Sequence, residues 1–160
     1  MQNNILIREI EGKDKDWLKK FMISAWGSEI IIASKPFNSL DLPGFIAEFN
    51  GESVGVATYN IIKDKLEIVS LNSTLERKGV GSALIAKIKE FAKEKNLKKV
   101  WLITSNDNID SLKFYQKRDF RITKIYPNAI DEARKIKPQI PEIGKYGIPL
   151  KDALELECKI

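Results

Sequence analysis

The chain has 160 residues, a formal net charge of +5, no histidine and one cysteine. This length suits a single domain with a substantial core. The lack of histidine excludes Ser-His-Asp and Cys-His nucleophiles and imidazole zinc sites, and a lone Cys158 can form neither an internal disulfide nor a thiolate metal site.

The first part of the chain predicts a strand, a helix and a second strand. Alternating apolar residues predict a strand over 4–10, and apolar residues at helical spacing predict a helix over 13–26 that ends at Gly27. Residues 29–34 are rich in β-branched side chains and predict a short strand. Residues 35–44 contain two prolines and predict a loop.

A meander of three strands is predicted next. Strand-like runs cover residues 45–50, 53–62 and 66–71, and short polar turns separate them. Asn50-Gly51 is the strongest hairpin signal in the chain, because both residues tolerate the positive φ angles of a tight turn.

Helices and strands alternate in the following stretch. Residues 79–95 carry an apolar stripe opposite charged side chains, which predicts a long amphipathic helix ended by Asn96. A buried strand is predicted over 98–105, a second helix over 106–119 and an alternating strand over 120–126.

The last part of the sequence is less regular. A short helix is predicted over 129–137, and the proline- and glycine-rich residues 137–149 predict a loop. Residues 153–160 alternate apolar and charged side chains and predict a final one-sided strand. The sequence therefore predicts an α/β (α+β) fold in one domain that spans residues 1–160.

The segment STLERKGVGSALI, residues 73–85, lies between a predicted strand and a predicted helix. The residue order matches neither a Walker loop nor a dinucleotide-binding fingerprint. A helix that starts at Gly79 has free N–H groups and a positive dipole end, and Gly79 and Gly81 leave its backbone open to an anion such as pyrophosphate. From spacing alone, an exposed loop before an ordinary glycine-rich helix is an equally good interpretation.

Two linked motifs resemble the GNAT (GCN5-related) N-acetyltransferase family. LEIVSLNSTLERKGVGSALIAKIKEFA is similar to the family's strand, its (Arg/Gln)-x-x-Gly-x-(Gly/Ala) turn and its long helix. NDNIDSLKFYQKRDF is similar to the family's Asn-x-x-Ala-x-x-Phe-Tyr-x-x-x-Gly-Phe helix. The resemblance covers about residues 5–126. It implies a central mixed, mostly antiparallel sheet flanked by helices, with a further helix and loop before the C-terminal strand.

Three positions depart from the family pattern. Glu76 replaces the usual Arg or Gln, so Arg77 and Lys78 must supply the positive charge. Ser111 replaces a small alanine. Asp119 replaces a glycine, and aspartate tolerates a positive φ better than most residues do.

The resemblance implies acetyl-CoA as cosubstrate and no metal. The backbone of residues 71–73 would bind the pantetheine arm, the turn 78–82 would hold the pyrophosphate, and Asn108 would contact the coenzyme. Tyr115 would protonate the departing thiolate, unless it only packs beside Phe114. The implied coenzyme-binding residues are Leu71, Asn72, Ser73, Arg77, Lys78, Gly79, Val80, Gly81, Ser82 and Asn108.

A general base is also needed, because an alkyl ammonium has a pKa of about 10 and must lose a proton before it attacks. Glu67, in the strand that leads to the coenzyme, is the best-placed carboxylate, although it could instead face solvent. Cys158 is expected on the inward side of the last strand, which disfavours an acetyl-cysteine intermediate. Direct attack in a ternary complex is therefore predicted.

The expected acceptor is a primary amine of a small molecule or peptide. Residues 26–42 and 126–149 would shape its pocket. Asp131, Glu132 and Glu142 could bind a cationic amine or could simply be solvated.

Neither nucleic acid nor a membrane is expected as a partner, and a homodimer is left open. The lysines near residues 93–99 suit a helix end better than a nucleic-acid face. With polar first residues and no long apolar stretch, we expect a cytoplasmic protein. The main alternative function is a non-catalytic acyl-CoA-binding sensor.

Overall fold

The computed structural model describes residues 4–25, 29–32, 35–38 and 41–160, which form a mixed α/β fold. Its main sheet is mostly antiparallel and has seven strands, and β2 and β3 pair separately. The strands are β1 (Ile5–Glu9), β2 (Glu29–Ile32), β3 (Lys35–Asn38), β4 (Gly44–Phe49), β5 (Glu52–Ile62), β6 (Lys65–Ser73), β7 (Lys99–Ser105), β8 (Arg121–Tyr126) and β9 (Ala153–Lys159). The helices are α1 (Lys15–Ala25), α2 (Val80–Glu94), α3 (Ile109–Gln116) and α4 (Ala129–Ile136). The predicted fold class is confirmed.

Contacts divide the chain into two compact units. The first contains the described residues of Met1–Ile30 and Asn38–Val100 together with Ile160, and the second contains those of Ile31–Phe37 and Trp101–Lys159. That residues 1–160 form one domain stays a prediction.

In the first unit, β1, β4, β5 and β6 pair in that order, each antiparallel to the next. The turn between β4 and β5 contains Asn50 with φ 51° and Gly51 with φ 84°. Two successive positive φ angles match the twist of a hairpin, so the predicted hairpin is confirmed. Between β5 and β6 the register shifts at Thr58/Tyr59, which leaves Val69 of β6 as an extra residue in a β-bulge.

Helix α2 packs on one face of these strands. Its buried side chains follow the predicted stripe and include Val80, Leu84 and Ile88. Near the other end of the helix, Phe91 meets the ring of Phe45 edge-on, with ring centroids 5.5 Å apart. The helix ends before Asn96, whose φ of 56° is the left-handed conformation expected of a residue that terminates a helix.

Helix α1 covers the opposite face of the same strands. Leu18 and Met22 of α1 form a buried cluster with Ile46 of β4 and Val56 of β5. Gly27, predicted to end this helix, lies outside the described residues.

A partly buried ion pair precedes α1. Arg8 donates two hydrogen bonds of 2.8 Å to the carboxylate of Asp14 and one of 2.8 Å to Oε1 of Glu48. The backbone N–H of Glu11 also donates to Asp14, at 2.7 Å. The hydrogen bonds from Arg8 lower the pKa of Asp14 below its usual value, even though burial opposes this shift. Asp14 therefore caps the short 3₁₀ turn Gly12–Asp14 ahead of α1.

In the second unit, β8 and β9 pair antiparallel from Arg121↔Glu157 to Tyr126↔Ala153. Leu156 and Cys158 of β9 are buried, as the predicted alternation requires. By contrast, β8 exposes most of its side chains.

The predicted loop over residues 35–44 is wrong in its first half, where β3 spans Lys35–Asn38 and pairs with β2. The loop was predicted because Pro36 has no N–H group and cannot donate a hydrogen bond to a neighbouring strand. In a two-stranded ribbon, however, each strand has an edge that needs no partner, so proline is tolerated there.

Candidate functional site

The predicted pantetheine-binding residues are the last three of β6. Leu71, Asn72 and Ser73 are half-buried and lie opposite Ala57, Val56 and Gly55 of β5. The chain leaves the strand in a fixed conformation, because the Ser73 hydroxyl bonds to both backbone groups of Leu75, accepting from N at 3.0 Å and donating to O at 2.9 Å. The loop toward α2 therefore starts from an ordered position.

The loop then adopts an unusual backbone conformation before α2. Arg77 has a φ of 58° and Gly79 a φ of 81°, and Lys78 between them is not in the positive-φ region. Alternating positive and negative φ turns successive N–H groups toward one side, which produces a concave anion-binding backbone. A non-glycine residue in this region costs on the order of 1 kcal/mol, so the conformation of Arg77 is imposed by its surroundings. No sequence pattern indicates the positive φ of Arg77.

Helix α2 begins immediately after this turn. Its first intrahelical hydrogen bond runs from Ala83 N to Gly79 O at 3.0 Å, and no side chain caps the helix. The N–H groups of the preceding first turn have no i−4 carbonyl partner, and the helix dipole adds partial positive charge there. Arg77, Lys78 and Gly79 are exposed, so two cationic side chains flank this end of the helix.

The backbone of the turn is open beside Gly79. A Cβ built on Gly79 would have Ile5 Cδ1, at 4.0 Å, as its nearest described neighbour. The space beside this backbone is therefore open to an anion. The free N–H groups, the dipole of α2 and the cations Arg77 and Lys78 all favour an anionic group with several oxygens at this position. An ordinary surface loop would not need this combination.

Gly55 is a packing position beside the start of α2 that no sequence pattern indicates. A Cβ at this residue would lie 2.8 Å from Cγ1 of Val80 and 3.0 Å from the backbone oxygen of Asn72. The glycine thus lets the first turn of α2 pack directly on β5. Only the folded structure shows this requirement, because Gly55 lies 25 residues before Val80 in the chain.

Glu67 is buried in β6, with 4% of its surface exposed. The alternative that it faces solvent is therefore wrong. Register places Glu67 opposite Asn60 and Ser70 opposite Thr58, so these four residues share one face of β5 and β6. Thr58 and Ser70 are buried and join their hydroxyls at 2.6 Å. This face is the one that carries Val56 and packs against α1.

Tyr115 belongs to α3 in the second unit, and its ring is fixed by aromatic neighbours. The ring is buried and makes edge-on contacts with Phe114 and Phe120 at centroid distances of 5.1 and 5.3 Å. No described residue hydrogen-bonds to the Tyr115 hydroxyl. In the described part of the chain, every fully buried side-chain oxygen has a hydrogen-bond partner, so the Tyr115 hydroxyl oxygen is not fully buried. Burial raises the pKa of Tyr115 well above its usual value, so the hydroxyl stays protonated at neutral pH.

Asn108 is the N-cap of α3. Its Oδ1 accepts from Ser111 N at 3.3 Å, which leaves the amide N–H groups as the donors of this side chain. At the other end of the helix Asp119 has a φ of 70°, and Phe120 N donates to Tyr115 O at 3.2 Å. This is a Schellman-type helix end, so aspartate does replace the glycine of the motif without loss of the turn.

Several charged residues considered for the acceptor or for nucleic acid already have partners. Asp131 is bonded by Arg134, and Glu132 lies 2.9 Å from Lys135 Nζ, both within α4. Lys98 Nζ is 3.1 Å from a carboxylate oxygen of Asp64. These pairs favour the interpretation that the charges belong to a solvated surface. Of the predicted acceptor region 26–42, residues 26–28, 33–34 and 39–40 lie outside the described chain.

Two further searches cover only the part of the chain that the structure describes. In that part, no group of three or more His, Cys, Asp or Glu side chains is arranged to hold a metal ion. None of its helices is long and apolar enough to cross a membrane.

Comparison with known proteins identifies one family and one fold. The model of the acetyltransferase (GNAT) family matches residues 13–120. The protein of Bacillus subtilis (strain 168) named Uncharacterized protein YxbD is 42% identical over 144 residues, which cover 89% of this chain and 91% of that protein. The IAA acetyltransferase from Bacillus cereus ATCC 14579 has a TM-score of 0.77 at 25% identity, over 98% of this chain and 100% of its own.

A second solved structure has the same fold. The GNAT family acetyltransferase from Elizabethkingia anophelis, solved with acetyl-CoA bound, has a TM-score of 0.70 at 24% identity, over 99% of this chain and 100% of its own. Both sequence motifs, the fold and the family model thus agree, and the chain belongs to the acetyltransferase (GNAT) family.

Proposed function

We propose that this protein is an N-acetyltransferase that moves an acetyl group from acetyl-CoA to a primary amine of a small molecule or peptide, and that residues 1–160 form the single domain that does so. The observation that carries this proposal is the concave backbone from Arg77 to the first turn of α2, in a chain that belongs to the family. The bound acetyl-CoA in the Elizabethkingia anophelis structure supports the same choice of cosubstrate.

The coenzyme pyrophosphate would lie against the N–H groups of residues 78–82, with Arg77 and Lys78 neutralising its outer oxygens. The backbone of residues 71–73 would bind the pantetheine arm like an added strand. Asn108 would donate its amide N–H to a carbonyl or phosphate oxygen of the coenzyme, since its Oδ1 already caps α3.

Glu67 would act as the general base. At neutral pH most alkyl amines are protonated, so one proton must leave before the nitrogen lone pair can attack the thioester carbonyl. The carboxylate of Glu67, directly or through a water molecule, would accept that proton. Its burial among Thr58, Asn60 and Ser70 supports a specific role over that of a solvated surface charge.

Tyr115 would act at the leaving group. As the amine nitrogen forms its bond to the carbonyl carbon, the carbon–sulfur bond breaks and negative charge develops on the sulfur. A hydroxyl that stays protonated can donate to that sulfur and stabilise the charge. The raised pKa of Tyr115 and the lack of a described partner for its hydroxyl support this role.

The decisive test of activity is incubation with acetyl-CoA and a panel of amines, amino acids and peptides, with thiol release as the readout. An N-acetyltransferase releases free coenzyme A in step with the acetylated amine. If coenzyme A binds but no amine in a broad panel causes thiol release, the protein is a coenzyme-binding sensor instead.

A thermal-shift experiment tests coenzyme binding at the turn independently of acetyl transfer. At coenzyme A concentrations about 100 times Kd, the native state gains about 2.7 kcal/mol, which raises Tm by about 5–11 °C for a domain of this size. Gly81→Val would block approach to the backbone and abolish this rise in a folded protein. Gly12→Val is the matched control, because nothing lies within 4 Å of a Cβ at that glycine. Equal Tm shifts in the two variants would contradict the pyrophosphate assignment.

A further inference from the structure

Within the second unit, two segments far apart in the sequence are joined by side-chain hydrogen bonds. Residues 143–149, here called the docked loop, close on themselves through a bridge between Ile143 and Pro149. Asn106, which directly follows β7, donates to the backbone oxygen of Pro149 at 2.9 Å. Its Oδ1 accepts from the backbone N–H groups of Lys151 and Asp152 at 3.1 and 3.0 Å. The residues before α3 therefore hold the docked loop and the chain that follows it.

Asp107 is the centre of this attachment. Only 5% of its surface is exposed, yet it is a carboxylate. One oxygen accepts from the Ser105 hydroxyl, and the other accepts from the backbone N–H of Lys145 in the docked loop at 2.8 Å. A buried carboxylate is tolerated only where hydrogen-bond donors replace water, and Ser105 and Lys145 supply these donors to Asp107.

Gly144 shows how closely the docked loop approaches Asp107. A Cβ at Gly144 would lie 2.1 Å from Oδ2 and 2.6 Å from Cγ of Asp107. The φ of Gly144 is −98°, which any residue can adopt. Glycine is therefore needed here because of the contact with Asp107 and not because of the backbone conformation.

The attachment also touches Asn108. Lys145 Nζ lies 3.5 Å from Oδ1 of Asn108, the same oxygen that caps α3. Two residues after Asn108, in the first turn of α3, the Asp110 carboxylate accepts a hydrogen bond from the Tyr146 hydroxyl at 2.8 Å. The docked loop thus contacts the N-terminus of α3 on both sides of the residue that is proposed to bind the coenzyme.

We propose that Asp107 is a positioning residue for coenzyme binding. Asp107 holds Gly144 and Lys145 of the docked loop, and Lys145 in turn contacts the cap residue Asn108. In this way Asp107 fixes the orientation of the Asn108 side chain and of its amide N–H groups. This inference rests on the proposed function, because it requires that Asn108 contacts the coenzyme. The inference assigns a role in coenzyme binding to the segment between α4 and β9, which lies outside both family motifs.

The test compares four variants by isothermal titration with coenzyme A, by the KM for acetyl-CoA, and by Tm without ligand. Asp107→Ala removes both hydrogen bonds, and we expect Kd and KM for the coenzyme to rise about tenfold, since displacement of a binding group by a fraction of an ångström has effects of this size. Asp107→Asn keeps the volume and can keep both bonds if the Ser105 hydroxyl accepts instead of donating. It should restore Kd to within about threefold of wild type.

Gly144→Ala displaces the docked loop while leaving the carboxylate intact, and it should reproduce the rise in Kd. Asp14→Ala is the matched control: Asp14 is also 5% exposed and also binds a backbone N–H, but its hydrogen-bond partners are Arg8 and Glu11, and neither is proposed to bind the coenzyme. It should lower Tm and leave Kd for coenzyme A unchanged.

The outcomes separate this inference from the function on which it rests. If wild type gives no binding heat with coenzyme A, the proposed function fails and the inference fails with it. If wild type binds while Asp107→Ala and Gly144→Ala lower Tm but leave Kd and KM unchanged, Asp107 is only structural and the inference alone is overturned. A fall in kcat with unchanged Kd overturns it as well.

Discussion

Replacing Gly55 with alanine tests how closely α2 packs on the sheet at the proposed coenzyme turn. The added Cβ would lie 2.8 Å from Val80 Cγ1 and 3.0 Å from Asn72 O, whereas carbon atoms in ordinary contact are about 3.5–4.0 Å apart. Val80 is fully buried and has a stiff, β-branched side chain, so it cannot move aside. The first turn of α2 or the adjacent strand must therefore shift.

The expected cost follows from these contacts. Overpacking by one methyl group in a tight core costs about 1–3 kcal/mol, and the lower entropy of the unfolded chain in a Gly→Ala variant offsets about 0.4–1 kcal/mol. The net loss is then at most about 2.6 kcal/mol, which lowers Tm by up to about 10 °C in a domain of this size. Relative to a Gly→Ala variant without a clash, the loss is about 1–3 kcal/mol. Because the shift displaces the first turn of α2, coenzyme A should also bind less tightly, by up to about tenfold.

Urea unfolding and a coenzyme A titration measure the two effects separately. Gly12→Ala is the control, since a Cβ at Gly12 meets nothing within 4 Å and the residue is exposed. This control should be neutral or slightly stabilising. If Gly55→Ala matches Gly12→Ala in both unfolding free energy and coenzyme affinity, the close approach of α2 to β5 has no energetic role and the reasoning fails.

Three further predictions concern chemistry and pH. Tyr115→Phe keeps the ring contacts and removes the hydroxyl, so kcat should fall at least about tenfold while coenzyme affinity stays within a few-fold; a parallel loss of affinity in the titration would identify a binding group instead. Glu67→Gln should lower the rate at neutral pH and recover part of it at high pH, where free amine is abundant, and pH profiles parallel to wild type would assign the base elsewhere. Because hydrogen bonds from Arg8 lower the folded-state pKa of Asp14, its carboxylate stabilises the fold above the unfolded pKa of about 4, and this contribution is lost as pH falls through the lower folded pKa. Asp14→Asn should therefore flatten the acid side of a plot of unfolding free energy against pH, and an unchanged slope in urea titrations from pH 2 to 6 would contradict the shift.

Local patterns were sufficient to predict most of the helices and strands. The apolar stripe predicted α2 to within one residue at each end, because one buried face at a 3.6-residue period is recorded directly in the sequence. Asn50-Gly51 identified its hairpin for an equally local reason, since few other residues accept two positive φ angles. The turn after α3 was predicted correctly despite Asp119, whose side chain tolerates the left-handed region.

Features set by contacts between distant residues were not predictable. The side of β6 that carries Glu67 depends on the bulge at Val69 and on α1 covering that face, and neither appears in the short run LEIVSL. The glycines at 55 and 144 are required by Val80 and Asp107, which lie 25 and 37 residues away in the chain. A single sequence does not show such pairs, because each residue alone is compatible with many surroundings.

The exposed strand β8 has a consequence for the behaviour of the protein in concentrated solution. It stands at the end of the strand order and exposes 41% of Ile122 and 59% of Ile125. An apolar strand at a sheet edge can pair with the same strand of another molecule and start aggregation. Arg121 and Lys124 lie among these isoleucines, and their like charges repel a second copy at short range. Since salt screens that repulsion, high ionic strength should favour self-association through β8, and purification at low salt should keep the protein dispersed.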